Sequence, residues 1–517
     1  MALQKDEIVA AIDVGSNALR MQIAEIKGNG KTHVLEDVRK AVTIGKDTFT
    51  YGKVRISTIY EVCEILAGYL KLIKEYRIKT YRAVTTSGVR EAANRDYVLD
   101  QIHQKTGLTV EIINNAEERF LTYKAIQDKL DHYEEIQEKG TVIVDIGSGG
   151  VELSLYKGSL QFTEYIKVGS LRLREVLADL ERRTLDFPDI MEQFIESKIY
   201  LLQPIIANYH IQNFIGLGGE MKTISSLCSK NVSRDETRKI HRTDLKQLLE
   251  RLRSMTVDHI IKEFKVSQER AEILLPSVII FLQFLEMTEA EVIYAPMVSL
   301  RDGLVADMVD HKYETLRDEK FQQDIISSVR CMGAKYQYDK IHAVCIEQMA
   351  VSIFDQTRKL HGLSERARFY LQIAAILHDI GKFISINRHD ENSFEIIRSS
   401  DIMGLSNREL MLLAIMVRYH SEEIPTIEHY SYRDLDEKDR VMVSKLAAIL
   451  QIADSLDITH HQKINEIKVT FEDGHIIFRV NTNEDLLLEE WTFNSRIQFF
   501  EEVFGVRPIL KSKGRIS

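Results

Sequence analysis

Two stretches of this chain repeat one turn chemistry, and that repeat limits the fold more than any other feature of the sequence. Ile8–Asp13 is a β-like run that enters Asp13-Val14-Gly15-Ser16-Asn17 and leaves through a second run, Leu19–Ile26. Val142–Asp145 does the same into Asp145-Ile146-Gly147-Ser148-Gly149-Gly150 and leaves through Val151–Tyr156. Each reads as a hairpin whose glycine turn opens with an aspartate at a strand end. A second unit recurs further on. Tyr81–Thr85 leads through Thr86-Ser87-Gly88 into a helix beginning near Val89, and Phe214–Leu217 leads through Gly218-Gly219 into a helix beginning near Met221. Two halves with matching units predict a duplicated α/β fold with a cleft between two lobes.

With 517 residues the chain exceeds what one hydrophobic core supports. After about residue 305 the β signal fades and apolar residues recur at three- and four-residue spacing. Ile341–Leu360, Arg366–Leu377, Ser393–Ser399, Arg408–Tyr419 and Val441–Leu456 are the predicted helices of an all-α domain. Alternation returns in EIKVTFE and HIIFRVN, joined by Glu472-Asp473-Gly474, and a helix near Arg496–Phe504 follows. The basic tail, with Lys511, Lys513 and Arg515, reads as a solvated end. The expected boundaries are 1–127 and 128–307 for the lobes, 308–463 for the all-α domain and 464–517 for a small α+β domain.

The formal charge of −10 argues against a nucleic-acid partner held by global electrostatics, so a polyanionic substrate needs a locally basic groove. The scattered Cys63, Cys228, Cys331 and Cys345 suit reduced thiols of a cytoplasmic protein. Ala271–Met287 is the most apolar stretch, but Glu272, Pro276, Gln283 and Glu286 interrupt it. It reads as a buried helix, and no membrane partner is expected.

A glycine turn after a strand exposes consecutive backbone N–H groups and lacks the Cβ that would block a phosphate. Asp13 and Asp145 would repel phosphate directly. Their expected task is to hold Mg²⁺, or Mn²⁺, against phosphate oxygens.

Six motifs occur in order: DVGSNALR, TTSGVREAAN, EIINNAEERFLTY, DIGSGGVELSLY, KVGSLRL and GLGGEMKT. Together, over roughly residues 8–305, they resemble the exopolyphosphatase/guanosine pentaphosphate phosphohydrolase family. The resemblance implies an actin-like (ribonuclease H-like, sugar kinase/Hsp70) fold for the lobes and transfer of a terminal phosphoryl group to water. It assigns Asp13, Gly15, Ser16 and Asn17 to a first phosphate loop and Gly147, Ser148 and Gly149, after Asp145, to a second. Gly218 and Gly219 form a third phosphate contact, and Glu152 joins Asp13 and Asp145 near the metal. Arg90 faces the phosphates, and Glu118, in NAEER, deprotonates the attacking water. By themselves, Glu117 and Glu118 read as solvated charges on a helix over Glu111–Lys124.

Three positions depart from the family pattern. The second loop reads Gly147-Ser148-Gly149-Gly150-Val151-Glu152, with one hydroxyl moved. Arg119-Phe120 replaces Ala-Arg after the catalytic glutamate. Glu220 replaces a small hydroxyl residue and needs Lys222 or a metal beside it. These bear on substrate choice more than on reaction class.

In the helical region, Leu377-His378-Asp379-Ile380-Gly381-Lys382 ends an apolar helix and sets a soft nitrogen beside a hard oxygen, a pairing that suits a divalent transition metal. With His342 upstream and Asp454 downstream, it resembles the H…HD…D pattern of HD-domain phosphohydrolases. His420 is a candidate for a second metal or a phosphate. The His-x-x-His-Ser stretch of many relatives is absent, with Asn392 in place of a histidine and His389 offset. A packed helical scaffold is the competing reading, and the presence of all four residues favours metal. His460-His461 reads as a loop, and Tyr419 and Tyr430 as packing residues.

The first expected substrate is inorganic polyphosphate, shortened by an exopolyphosphatase along a basic path of Arg90, Lys167, Arg172 and Arg174. Guanosine pentaphosphate, cleaved to the tetraphosphate, is the alternative. A nucleotide- or polyphosphate-sensing protein with any activity in the HD-like domain is the alternative of another class. The resemblance also implies a homodimer.

Overall fold

The computed structural model describes residues 6–513 except 131–132, 182, 185, 229–236, 314–315 and 473, so Asp473 and Arg515 lie outside the described residues. The chain forms two compact units, Met1–Asp324 and Ile325–Ser517.

The first unit contains two sheets of like design. In the first, β1 (Glu7–Val14), β2 (Ala18–Ile26), β3 (Thr32–Ala41), β4 (Thr80–Thr85) and β5 (Glu111–Ile112) lie in the order β3-β2-β1-β4-β5. The second holds β6 (Thr141–Ile146), β7 (Val151–Lys157), β8 (Ser159–Ile166), β9 (Asn213–Gly218), β10 (Arg238–His241) and β11 (Val292–Ala295), in the order β10-β11-β9-β6-β7-β8. In both sheets the first strand pairs antiparallel with its hairpin partner and parallel with the strand that follows the crossover. The duplication predicted from turn chemistry is therefore a duplication of topology.

Each sheet has its own core. Ile12, Leu19, Met21 and Val89 pack with the helix Ile56–Glu75 in the first lobe. In the second, Val144, Leu153 and Phe214 pack on Gln268–Glu286, the apolar helix recognised in the sequence. Every fully buried Leu, Ile or Phe there contributes about 1.5–3 kcal/mol relative to exposure. Among the described residues no helix is long and apolar enough to cross a membrane. Two expected boundaries fall inside helices, 127/128 in Asn115–Lys129 and 307/308 in Leu300–Tyr313. Leu304, Val305 and Val309 of the latter helix return to the first sheet, packing with Val9, Ala11 and Leu121. Side-chain burial across the chain decides this return, and local periodicity does not report it.

The second unit is helical up to Ser455, with Lys340–Gln356, Glu365–Leu377, His389–Arg398, Asn407–Arg418 and Glu437–Ser455 near the predicted spans. A three-stranded sheet follows: β12 (Glu466–Glu472), β13 (His475–Asn481) and β14 (Arg507–Lys513). Here the structure corrects the solvated tail. Residues 507–513 pair in parallel with β13, and Leu510 stands opposite Phe478. The pairing partner lies beyond the helix Leu487–Phe504, out of reach of a local reading.

Candidate active site

Asp13 and Asp145 hold equivalent places at the ends of the first strands of their sheets. Asp13 faces Arg20 across the β1–β2 hairpin and Val84 of β4, and Asp145 faces Glu152 across β6–β7 and Leu217 of β9. Beyond them come the glycine turns, the second closed by a 2.9 Å bond from Gly147 N–H to the Gly150 carbonyl.

The turn after β4 is packed against both loops. Ser87 Oγ lies 3.3 Å from Ser16 Oγ. A Cβ at Gly88 would stand 2.6 Å from Ser16 Oγ, and one at Gly149 would stand 2.6 Å from Ser87 Oγ. Close approach therefore demands glycine at both places. Gly218 ends β9, and Gly219 follows it with Arg20 Nη2 3.5 Å from where its Cβ would lie. Arg20 Nη1 in turn sits 3.7 Å from Asp13 Oδ2. Arg20 was not singled out in the sequence. Its available signal was position, since it stands opposite Asp13 as Glu152 stands opposite Asp145.

Of the adjacent glutamates, one serves the helix and the other the site. Glu117 closes a capping box: its N–H donates to Asn114 Oδ1 at 2.8 Å, and its carboxylate accepts from Asn114 N–H at 3.3 Å. Glu118, in the same first turn, has Oε2 3.5 Å from Arg90 Nη1. Arg90 is held by the Ile113 carbonyl at 2.6 Å and by Asn115 Oδ1. Burial raises the Glu118 pKa, Arg90 opposes the rise, and the charge of Asp13 adds to it. Burial, with Glu118 nearby, pushes Asp145 up to about 7. Burial also raises Asp13, against the pull of Arg20 and Arg301. A carboxyl group with its pKa moved toward neutrality suits proton acceptance from water.

Glu152 is buried and bonded to Arg119, whose Nε donates to Oε2 at 2.9 Å. Among the described residues Glu152 Oε1 and both Arg119 Nη atoms lack hydrogen-bond partners. They border a cavity of about 20 Å³ shared with Thr122, Asp145 and Ser154, room for a water molecule. Burial raises the Glu152 pKa, with Arg119 opposing. The departure at Arg119 thus bears on a carboxylate assigned to the metal. Phe120, the other departure there, packs edge-on against Phe321 with centroids 5.3 Å apart.

The structure supplies partners at two places where charge was expected to matter. Glu220 is buried, but Lys222 is exposed; the positive charge acting on Glu220 comes from Arg270, Arg20 and Arg39. In the expected basic path, Arg172 pairs with Glu91 at 2.6 Å and Arg174 with Glu181 at 2.6 Å, while Lys167 is exposed. Ion pairs formed within the fold already engage the two arginines.

In the second unit, His342, His378 and Asp379 converge, and Asp454 Oδ1 lies 3.4 Å from His342 Nε2 and 3.5 Å from His378 Nε2. His389, offset in the sequence, comes to 3.1 Å from His420, nitrogen to nitrogen. His460 does lie in a turn, yet its ring stacks on His342 at 3.7 Å. Tyr419 is buried in the core and Tyr430 is exposed.

The profile of the Ppx/GppA phosphatase family matches residues 22–312, more than half of the chain. This chain belongs to that family. Domain III of the Ppx/GppA phosphatases matches residues 326–495. The guanosine-5'-triphosphate,3'-diphosphate pyrophosphatase of Vibrio parahaemolyticus is 22% identical over 450 residues, 86% of either chain. The protein of the same name from Vibrio atlanticus is 22% identical over 482 residues, 91% of either chain. The solved exopolyphosphatase of Cytophaga hutchinsonii superposes with a TM-score of 0.53 at 20% identity, over 59% of this chain and 98% of its own, and shares the actin-like fold. As a Ppx/GppA phosphatase, the chain is a hydrolase of phosphoanhydride bonds.

Proposed function

We propose that the first unit removes the terminal phosphate of guanosine pentaphosphate, leaving the tetraphosphate. The observation that carries the reaction is Glu118, a carboxylate of raised pKa steered by Arg90 beside the aspartates of two glycine loops. The substrate is supported by the names of the Vibrio relatives, similar over 86% and 91% of the chain. The engagement of Arg172 and Arg174 in ion pairs also supports a short phosphate chain over a long one.

Loop N–H groups of residues 15–17 and 148–149 would hold the terminal phosphate, with Arg90 facing it, while Gly147 closes the second turn through the Gly150 carbonyl. Gly218 and Gly219 would add a third backbone contact. Glu118 would take a proton from water as the water oxygen bonds to phosphorus and the anhydride P–O bond breaks; phosphate and the shortened nucleotide leave. Asp13, Asp145 and Glu152 suit Mg²⁺ or Mn²⁺, being hard oxygen donors, with Glu152 Oε1 free of protein hydrogen-bond partners among the described residues. When bound, such an ion supplies charge neutralisation at phosphate oxygens.

Inorganic polyphosphate is the second reading, because its end presents the same terminal phosphoanhydride and Lys167 remains exposed beside the second loop. The test is phosphate release from both substrates side by side, with Mg²⁺. Faster turnover of the pentaphosphate at equal low concentration is expected. Preference for polyphosphate reverses the substrate assignment, and failure of both removes the enzymatic reading of this cleft.

A further inference from the structure

Three side chains stand in a row across the second sheet. Asp145 of β6 lies opposite Glu152 of β7, and Glu152 lies opposite Tyr165 of β8. Residues directly opposite one another in antiparallel pairs share a face, so Tyr165 is on the face that carries Asp145. The first sheet has the matching row Asp13, Arg20 and Arg39. The reaction described above engages Asp145 and Glu152 and leaves Tyr165 without a task.

The second glycine turn makes room for this tyrosine. A Cβ at Gly150 would stand 2.5 Å from the Tyr165 hydroxyl oxygen, so glycine there admits the ring against the loop, next to Gly149. The hydroxyl oxygen is buried, and among the described residues it has no hydrogen-bond partner. A buried donor left unpaired destabilises a fold, and native structures rarely keep one without a functional reason.

The charges acting on the hydroxyl come from both lobes, Glu91, Arg90 and Glu118 from the first and Arg172 from the second. Burial, then Glu91 and Glu118, raises the phenol pKa above its ordinary value, against Arg90 and Arg172. Tyr165 therefore keeps its proton wherever Glu118 can act as a base, and it remains a neutral donor. Both nearby carboxylates are turned to arginines, Glu91 to Arg172 at 2.6 Å and Glu118 to Arg90 at 3.5 Å. Neither accepts from the hydroxyl. Its acceptor must come from outside the fold.

We propose that Tyr165 is a further catalytic residue, whose hydroxyl donates a hydrogen bond to an oxygen of the terminal phosphoryl group. The role rests on the phosphohydrolase reading of this cleft. As the water oxygen bonds to phosphorus and the anhydride P–O bond breaks, Glu118 takes the water proton. Tyr165 keeps its own proton and transfers none. Its part is electrostatic, a donor already in place beside the phosphoryl oxygens when charge redistributes in the transition state. Guanosine pentaphosphate and polyphosphate present the same terminal group, so the donor acts on either.

Tyr165→Phe in the full chain removes only the hydroxyl and keeps the ring against Gly150. Wild type and variant are compared, with Mg²⁺, in phosphate release from both substrates and in inhibition by orthovanadate, and without ligand in thermal melts. On whichever substrate the wild type turns over, kcat should fall about 10²-fold with KM changed only a few-fold. Orthovanadate, which takes up the five-coordinate geometry of the transition state, should inhibit the variant at least about tenfold more weakly. The ligand-free melting temperature should hold, because the hydroxyl has no partner to lose. An unchanged kcat in the variant of an active wild type overturns the role of Tyr165 alone. A fall in kcat that comes with a lowered ligand-free melting temperature also overturns it, since the hydroxyl then serves the fold. A wild type that releases phosphate from neither substrate overturns the reading of the cleft, and the donor role with it.

Discussion

Arg20 and Glu152 occupy the same place in the two halves of the first unit, each as the cross-strand partner of the aspartate next to the end of its sheet's first strand. The duplication therefore puts a cation opposite Asp13 and an anion opposite Asp145. The positive charge facing Glu152 comes instead from Arg119, on the helix that carries Glu118.

Removing that charge has a metal-dependent consequence. Arg119→Ala leaves Glu152 buried without its partner, a loss of roughly 3–5 kcal/mol for a broken buried pair. A bound divalent ion would replace the missing charge. The melting temperature should therefore fall steeply in chelator and recover in part with Mg²⁺, as read by calorimetry. An equal fall under both conditions would detach Glu152 from the metal.

Glu118→Gln keeps the shape of the side chain but cannot accept a proton. We expect kcat to fall by about 10²–10⁴, with KM changed only a few-fold. Phosphate-release kinetics on the preferred substrate check this, and a loss of only a few-fold would remove Glu118 from the role of base.

The pH response follows from Asp145, moved from its ordinary 3.8 to about 7. Between those values the unfolded chain has released a proton that the folded chain retains. Metal-free stability should thus decline as pH rises through that window and level off above about 7. Mg²⁺ affinity should run the other way, rising as Asp145 ionises. Asp145→Asn should flatten both trends and raise the Mg²⁺ requirement. Denaturant melts and Mg²⁺ titrations at stepped pH provide the readout, and an unchanged Mg²⁺ requirement would count against the metal role.

Gly149→Ala tests the packing between the loops. Its Cβ would meet Ser87 Oγ at 2.6 Å, an overpacking of about 1–3 kcal/mol. Combining it with Ser87→Gly should restore part of the lost stability in thermal melts. No recovery would place the strain elsewhere, with the Phe49 ring, 3.1 Å from the same Cβ, the next neighbour.

The sequence alone determined the duplication, the two aspartate-led glycine turns and the change from strands to helices. These are short-range properties: strand ends, glycine positions and apolar spacing leave their record within a few residues. The separation of Glu117 from Glu118 was visible only through the family's motif, because two adjacent glutamates are alike until a capping box engages one of them. Tertiary structure decided what lies far apart in the chain. It set Arg119 on Glu152 and laid 507–513 beside β13. It also turned His389 toward His420 and gave His342 its partner in Asp457. Each of these depends on the direction of a side chain or strand after helices and sheets have packed, and hydrophobic periodicity carries no information about that direction.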